Sequence, residues 1–513
     1  MAAEETIPSP TKDLDENISP IYSDGEDAHT QQATRTQILS QFTAEDEKKI
    51  LRKLDRRVVI LAALIYAIKQ VDTLNLALVR VIAVGKPTNI LTQLRMTPDE
   101  YNWVNTAYSI PYVLLETPMT LLLKKMGPRI FQSRIMITWG IVLACHAAVT
   151  NKTGLYIVRI ILGVVEAGMF PALMTSFLCW YRGDELARPM VWVHGLDQFT
   201  SILSSLLVYG ISYLDERHGL SSWKWIFLIE GVLTVAYGIV LFLWLPDYPK
   251  SPSTSKWLTP SEQDFVEARL SSNNPRYSDK AFSLKETVDT LKDPRLWSFT
   301  IFILCMSITS YGISWAQPTI INNLGFVAVP RNLLLLLPGS FLALCLLITT
   351  FFIYRDGRVP RPPYCLTIVA LEIISFAIFL TTENKGARYA ACVLGTMFSH
   401  AWGTSYWPWR SSSVRGATGT ALAFGIQNSI SQLGAIIGPQ IFREKWAAQN
   451  YRPSFIIMVC CVASGFICGC ICWYLTYDLE KEARRVKLER NAALREGKIL
   501  SDDDAHIRSE THL

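Results

Sequence analysis

Ionisable side chains interrupt long apolar runs of this 513-residue chain at Lys69, Asp72, Glu116, Arg159, Glu166, His194, Asp197 and His400. A charge in the middle of a bilayer costs about 2.5–3.5 kcal/mol on insertion scales, so such residues mark solute or proton pathways by default. Arg159 and Glu166 are seven residues apart. They share one helical face two turns apart and cannot pair tightly with each other, so each needs a partner elsewhere, or water. A carboxylate in a cavity of low dielectric can load and release a proton across a physiological gradient. Glu166, flanked by Gly163 and Gly168, is the first choice for proton coupling; the alternative is a structural pair that holds its helix against a neighbour. His194 and Asp197, three apart, can lie side by side and relay protons, or form a satisfied polar contact between helices.

Lys69 stands four residues before Thr73 and three before Asp72. The first spacing puts Lys69 and Thr73 on one face about 6 Å apart along the axis, which makes both candidate solute contacts. The second lets Lys69 neutralise Asp72 instead. Later in the chain, Tyr311 and Trp315 share a face and can line a cavity for a ring-bearing solute, with Trp402 and Tyr406 nearby and Gln427 and Asn428 adding hydrogen bonds. Arg159 joins these as a candidate solute contact. Asp72 and Glu116 read as gating or packing charges.

The elements that hold these residues are membrane spans. Half of the residues are hydrophobic and 18% are charged, too little polar surface for a soluble fold of this length. A hydrocarbon core of about 30 Å needs about 20 helical residues. Twelve windows qualify: 57–79, 103–123, 130–149, 155–180, 190–213 and 225–245, then 296–321, 332–353, 364–380, 389–407, 420–441 and 455–477. They are called spans 1 to 12 below. The expected organisation is a disordered cytoplasmic tail over 1–50, a six-helix half over 51–245, a cytoplasmic central loop over 246–295, a second six-helix half over 296–478 and a cytoplasmic tail over 479–513. Residues 479–495 are charged and can continue the last helix.

Basic clusters such as Arg52, Lys53, Arg56 and Arg57, and Lys481, Arg484, Arg485 and Lys487, place both termini in the cytoplasm. The net charge of +5 is mostly this topology signal, and no nucleic-acid partner is expected. The eleven cysteines sit in apolar runs without metal-ligand spacing, which suits packing thiols. No signal peptide and no nucleophile, base and orienter set stand out, so neither an enzyme nor a cofactor is expected. The sequon at Asn151 lies too near two membrane ends to be modified, and the one at Asn17 is cytoplasmic in this topology.

Several motifs carry a family resemblance. Arg159 followed by Leu162-Gly163-Val164-Val165-Glu166-Ala167-Gly168-Met169-Phe170-Pro171 resembles the fourth helix of the anion:cation symporter group of the major facilitator superfamily. Trp223-Lys224-Trp225-Ile226-Phe227-Leu228-Ile229-Glu230-Gly231, with Leu245-Pro246-Asp247-Tyr248-Pro249, is similar to that group's sixth helix and its exit. Tyr101-Asn102-Trp103, Glu116-Thr117-Pro118, Gly127-Pro128-Arg129 and Ser412 to Thr420 also fit, in the right order. The fungal branch related to allantoate, pantothenate and nicotinate permeases is nearest in pattern.

The resemblance implies import of small organic anions with protons. Relatives typically read Asp-Arg-Thr-Asn in helix 1, where this chain has Asp72-Thr73-Leu74-Asn75. The arginine that would meet the anion is missing, Lys69 is one turn away, and Asn75 keeps its place as a candidate contact. The loops with Lys124 and Arg129, and with Asp356 and Arg358, look like degenerate forms of the superfamily's gate latch; alternatively they only set orientation. The first loop lacks the usual acid, so its partner must come from Glu116 or another loop. The expectation is therefore an all-α polytopic carrier that takes up a small organic anion with protons, working as a monomer in the plasma membrane. Efflux or facilitated diffusion of a neutral or aromatic metabolite, and a non-transporting nutrient sensor, are the alternatives.

Overall fold

The computed structural model describes residues 28–182, 185, 187–270, 284–325, 331–355, 359–411, 413 and 417–496. Helices occupy all twelve windows, and among the described residues there is no strand. In the first half they are Ile60–Val79, Pro98–Met126, Pro128–Cys145, Lys152–Glu166 with Met169–Leu178, Ala187–Ile211 and Ser222–Trp244. In the second they are Pro294–Leu324, Leu337–Arg355, Arg361–Thr381, Lys385–Ala401 with Gly403–Ser411, Ala417–Ile441 and Arg452–Arg495. Their starts follow local chemistry. Thr97 and Glu100 form a capping box with Pro98 at the first position of span 2, and the Asn151 side chain accepts from the Gly154 amide at 2.7 Å to open span 4.

Among the described residues, eight helical stretches are long and apolar enough to cross a bilayer by composition alone. Spans 2, 5, 10 and 11 fall short because they carry polar side chains inside the protein. Asn102 and Glu116, Asp197 and Gln198, Ser399 and Thr404, and Gln427 and Asn428 are all buried. Polar groups at this depth must be satisfied by protein or a cavity rather than lipid.

The halves pack alike. Spans 1 and 5, 2 and 4, and 3 and 6 pair in the first half, and six spans later 7 and 11, 8 and 10, and 9 and 12 pair in the second. Between halves, span 2 meets span 11 and span 5 meets span 8, contacts that exchange under the same six-span relation. Span 4 approaches span 2 backbone to backbone. A Cβ on Gly163 would collide with the Tyr108 carbonyl oxygen and come within 2.9 Å of Pro111 Cγ. Gly163→Ala is expected to cost about 3 kcal/mol or more, seen as loss of most monodisperse protein in size-exclusion chromatography. Wild-type yield and melting temperature would show that the two spans can separate without harm.

The expected disordered tail does not hold from Ala28 onward. Helices Ala28–Ser40 and Ala44–Leu54 occupy it, the first burying Leu39 and the second burying Ile50 and Leu54 along an apolar stripe. The Phe42 ring lies 4.6 Å from that of Phe265 on the central helix Pro260–Arg269. Buried Glu47 meets Arg182 and Arg269, each at 3.4 Å. Average composition hid the stripe of Ala44–Leu54, where Ile50 and Leu54 stand four apart. Span 12 runs on to Arg495 as one helix, the continuation that the charged stretch suggested.

Candidate functional site

Span 1 sorts its polar residues by rotation about the helix axis. Tyr66, Lys69, Gln70 and Thr73 face a cavity of about 180 Å³ between the halves. Asp72 and Asn75 turn into the first half. The Asp72 carboxylate is 3.6 Å from Arg159 Nη1 and accepts from Trp139 Nε1 at 3.4 Å, while Asn75 Oδ1 accepts from Ser204 Oγ at 2.7 Å. Arg159 and Asp72 pair with each other, Asn75 is held by Ser204, and none of the three lines the cavity.

Lys69 does not neutralise Asp72. Its Nζ lies 3.3 Å from Glu166 Oε1 and 4.8 Å from the centre of the Tyr112 ring. The ammonium side chain is 14% exposed and the carboxylate 1%, so a solute in the cavity meets the cation first. Lys69 is the only Lys or Arg lining the cavity among the described residues. Thr73, one turn on, spends its hydroxyl proton on the Lys69 carbonyl at 3.0 Å and keeps its lone pairs for a donor.

Glu166 owes its place to an interruption. The first helix of span 4 ends at Glu166, Ala167 leaves helical geometry and Gly168 takes φ 86°, a left-handed value that glycine adopts without penalty. Span 10, its counterpart in the second half, is divided at Trp402, just after His400, but Trp402 keeps helical φ −59° and ψ −35°, so of the two only span 4 leaves helical geometry. A broken helix at the interface of two halves suits the binding region of a carrier.

His194 and Asp197 both line the cavity, yet no ion pair joins them among the described residues. Asp197 Oδ2 accepts from Gln198 Nε2 at 3.0 Å and Oδ1 has no hydrogen-bond partner, while His194 packs edge-on against Tyr66. From the second half, Tyr311, Trp315, Trp402 and Asn428 reach the cavity and His400 stands 3.3 Å from Ser314 Oγ. Gln427 does not reach it: buried, it accepts from Arg410 Nε at 3.2 Å.

Contacts between the halves close both ends. On the outer side, Arg80 donates to Asn102 at 3.3 Å, to the Trp315 carbonyl at 3.2 Å and to Thr319 at 2.6 Å, and Trp315 Nε1 donates to Asn102 Oδ1 at 2.7 Å. Trp315 is therefore shared between cavity wall and outer closure. On the inner side, Asn428 donates to Glu116 Oε1, and Ser429 donates to Oε2 at 2.5 Å. The loop latch finds its acid in another loop, the second of the two places expected: Asp247, after span 6, accepts from the Arg129 amide at 3.0 Å and faces its guanidinium at 3.7 Å. Asp356 and Arg358 lie outside the described residues, as does the Lys124 side chain.

Sequence reasoning missed Gln70, Asn105 and Arg80. Arg80 sits one residue beyond the window given to span 1, and Asn105 one turn after Asn102, so helical spacing from residues already in hand would have found both.

Two similarly packed helical halves around one polar cavity, closed at each end by contacts between them, form the architecture of a secondary transporter. Residues 72–439 match the Major Facilitator Superfamily, and the chain belongs to it. It is similar to the MFS transporter prlL of a fungal species (strain NRRL 50135), 24% identical over 432 residues that cover 82% of this chain and 86% of the relative. It is also similar to the allantoate permease of Saccharomyces cerevisiae, 26% identical over 473 residues, covering 87% of this chain and 82% of the relative. Among solved structures, a bacterial homologue of the human lysosomal transporter Spinster, inward-facing and unoccupied, shares the fold with a TM-score of 0.56 at 14% identity, over 83% of this chain and 97% of that one. The chain is a multi-pass membrane transporter and not an enzyme.

Proposed function

We propose that this transporter takes up a small organic anion together with a proton, by alternating access of the cavity between its halves. The observation that carries the reading is the Lys69–Glu166 pair, with the cation at the cavity wall and the carboxylate behind it. While Glu166 is ionised it competes with a solute carboxylate for the ammonium. Once protonated it no longer does, and Lys69 is left to the anion. Proton and anion then favour each other's binding, which is the thermodynamic content of symport. Thr73 and Asn428 supply hydrogen bonds beside Lys69, and Tyr311 and Trp402 supply ring faces. Lysine holds a carboxylate as a point charge, less directionally than the arginine it replaces. The yeast relative is named for allantoate, itself a carboxylate, which suits the class. One chain encloses the whole cavity, so a monomer acting in the plasma membrane is the simplest form, with twelve spans and both termini inside.

A second reading, facilitated diffusion or efflux of a neutral aromatic metabolite, is favoured by Tyr66, Trp402 and Trp407 on the lining and by Thr73 in place of an arginine. Proteoliposomes with a trapped pH dye, offered a panel of small carboxylates and neutral ring compounds, separate the two. Interior acidification driven by a carboxylate is the expected result. Equilibration of a neutral ring compound with no proton signal would overturn symport, and no flux of any solute in the panel would favour the sensor.

A further inference from the structure

Span 9 holds a glutamate that the Lys69–Glu166 pair does not use. Glu372 is fully buried, and among the described residues no Lys, Arg or His of spans 7, 10 or 12 forms an ion pair with it. Its surroundings are hydroxyls. Ser399 Oγ donates to Oε1 at 2.5 Å, and Thr309 lies against the carboxyl with its own proton already given to the Met306 carbonyl at 2.9 Å. Oε2 has no hydrogen-bond partner among the described residues. A carboxylate at this depth with no cation beside it is disfavoured by the charge-burial penalty. A carboxylic acid there is neutral and can donate its O–H to a neighbouring hydroxyl.

The site is buried but close to water. Ser399 and Ser310 both line the central cavity. Ser310 Oγ donates to the Ser399 carbonyl at 2.8 Å and accepts from Trp402 Nε1 at 3.2 Å, which ties the same residues to the division of span 10. The titratable neighbours are His400, which is turned to Ser314, and the thiols of Cys365 and Cys392 in the packing of spans 9 and 10.

We propose that Glu372 is a second proton-binding site, in the C-terminal half, that exchanges its proton with the central cavity through Ser399. On release, the Ser399 hydroxyl first turns from Oε1 toward cavity water; the acid, with its proton on Oε1, then passes that proton to Ser399 Oγ as the Ser399 hydroxyl gives its own to the water. One proton leaves, and the electron pair stays on the carboxylate. The inference goes beyond the symport reading, since it needs neither Lys69 nor Glu166 nor any solute.

Infrared difference spectroscopy of the full-length protein in lipid, stepped in pH and in deuterium content without solute, tests it. A carboxylic C=O band is expected that shifts in heavy water, shrinks as the pH is raised with a matching rise in carboxylate bands, is absent in Glu372→Gln and persists in Glu166→Gln. Ser399→Ala, which keeps the acid, is expected to slow deuterium exchange of that band several-fold, and Glu372→Asp to move its frequency. If Glu372→Gln does not fold, the exchange rate in Ser399→Ala and the shift in Glu372→Asp still decide. A Glu372 band that ignores pH and never exchanges, or a wild-type spectrum in which Glu372→Gln removes no acid band, would overturn the site. Either failure leaves the Lys69–Glu166 reading standing.

Discussion

Glu166→Gln is expected to abolish substrate-driven proton movement while a carboxylate still exchanges across the membrane. The amide has nearly the volume of the acid and can be hydrogen-bonded by Tyr108 in the same place, but it has no proton to load or release. Lys69 then behaves as it does beside a protonated Glu166, free for an anion and steadied by the Tyr112 ring. Counterflow, in which labelled solute exchanges against unlabelled, needs no net proton transfer and should continue within a few-fold of wild type. Uphill accumulation driven by a pH gradient should vanish. The pH dependence follows with a definite sign: wild-type uptake should fall as the outside is made more alkaline, because fewer carriers hold the proton that releases Lys69, and the variant should show a flat profile. A trapped-dye signal that survives in Glu166→Gln would assign coupling to another carboxylate, with Asp197 and Glu372 as the places to look.

Much of this site was legible in the sequence, and the gaps have physical causes. The seven-residue spacing of Arg159 and Glu166 showed that each needs another partner, and the partners are Asp72 and Lys69. Which partner goes with which charge depends on how spans 1 and 4 are rotated. That rotation is set by the contact of Gly163 with span 2 and the break at Gly168, neither of which can be read from the spacing of charges alone. His194 and Asp197 are neighbours by spacing, yet each turns to a different partner, since helical proximity permits a pair without requiring it. Asp247 completes the Arg129 latch from a loop 118 residues away in sequence, a contact only tertiary structure creates. Glu372 escaped notice because it is a single acid in a strongly apolar window with no motif around it. The spans themselves were plain from apolar windows, and helices occupy all twelve.

The closures at the two ends are tied to the cavity by shared residues. Trp315 lines the cavity and also binds Asn102 and Arg80 in the outer closure. Asn428 lines it and donates to Glu116 in the inner one. A solute that hydrogen-bonds Asn428 therefore competes with Glu116, so that occupancy of the site weakens the inner closure. Differential contacts of this kind are what a ligand needs in order to shift a conformational equilibrium. Nothing comparable links Arg159 to the cavity, which is why the position of the positive charge at Lys69 matters so much to the choice of solute.

Lys69→Gln is expected to weaken binding of a carboxylate solute by roughly 100-fold, about 2.7 kcal/mol by the affinity relation, within the range for losing one partner of a desolvated charge pair. Trp315 and Trp402 at the cavity wall offer intrinsic fluorescence as the readout. The substitution leaves Glu166 without its cation, so the acid should stay protonated and coupling should fail together with affinity. The Asp72–Arg159 pair and its Trp139 contact are untouched, so the helical packing of the first half and the melting temperature should change little. Lys69→Arg separates charge from geometry. It keeps the cation and adds a planar fork, so it should retain much of the affinity for a carboxylate, and any gain should be largest for solutes that accept two parallel hydrogen bonds. Unchanged carboxylate affinity in Lys69→Gln, with a normal melting temperature, would remove the anion from the cavity altogether. The aromatic wall would then define the solute, and Glu166 would be a structural acid whose only task is to hold span 4 against span 1.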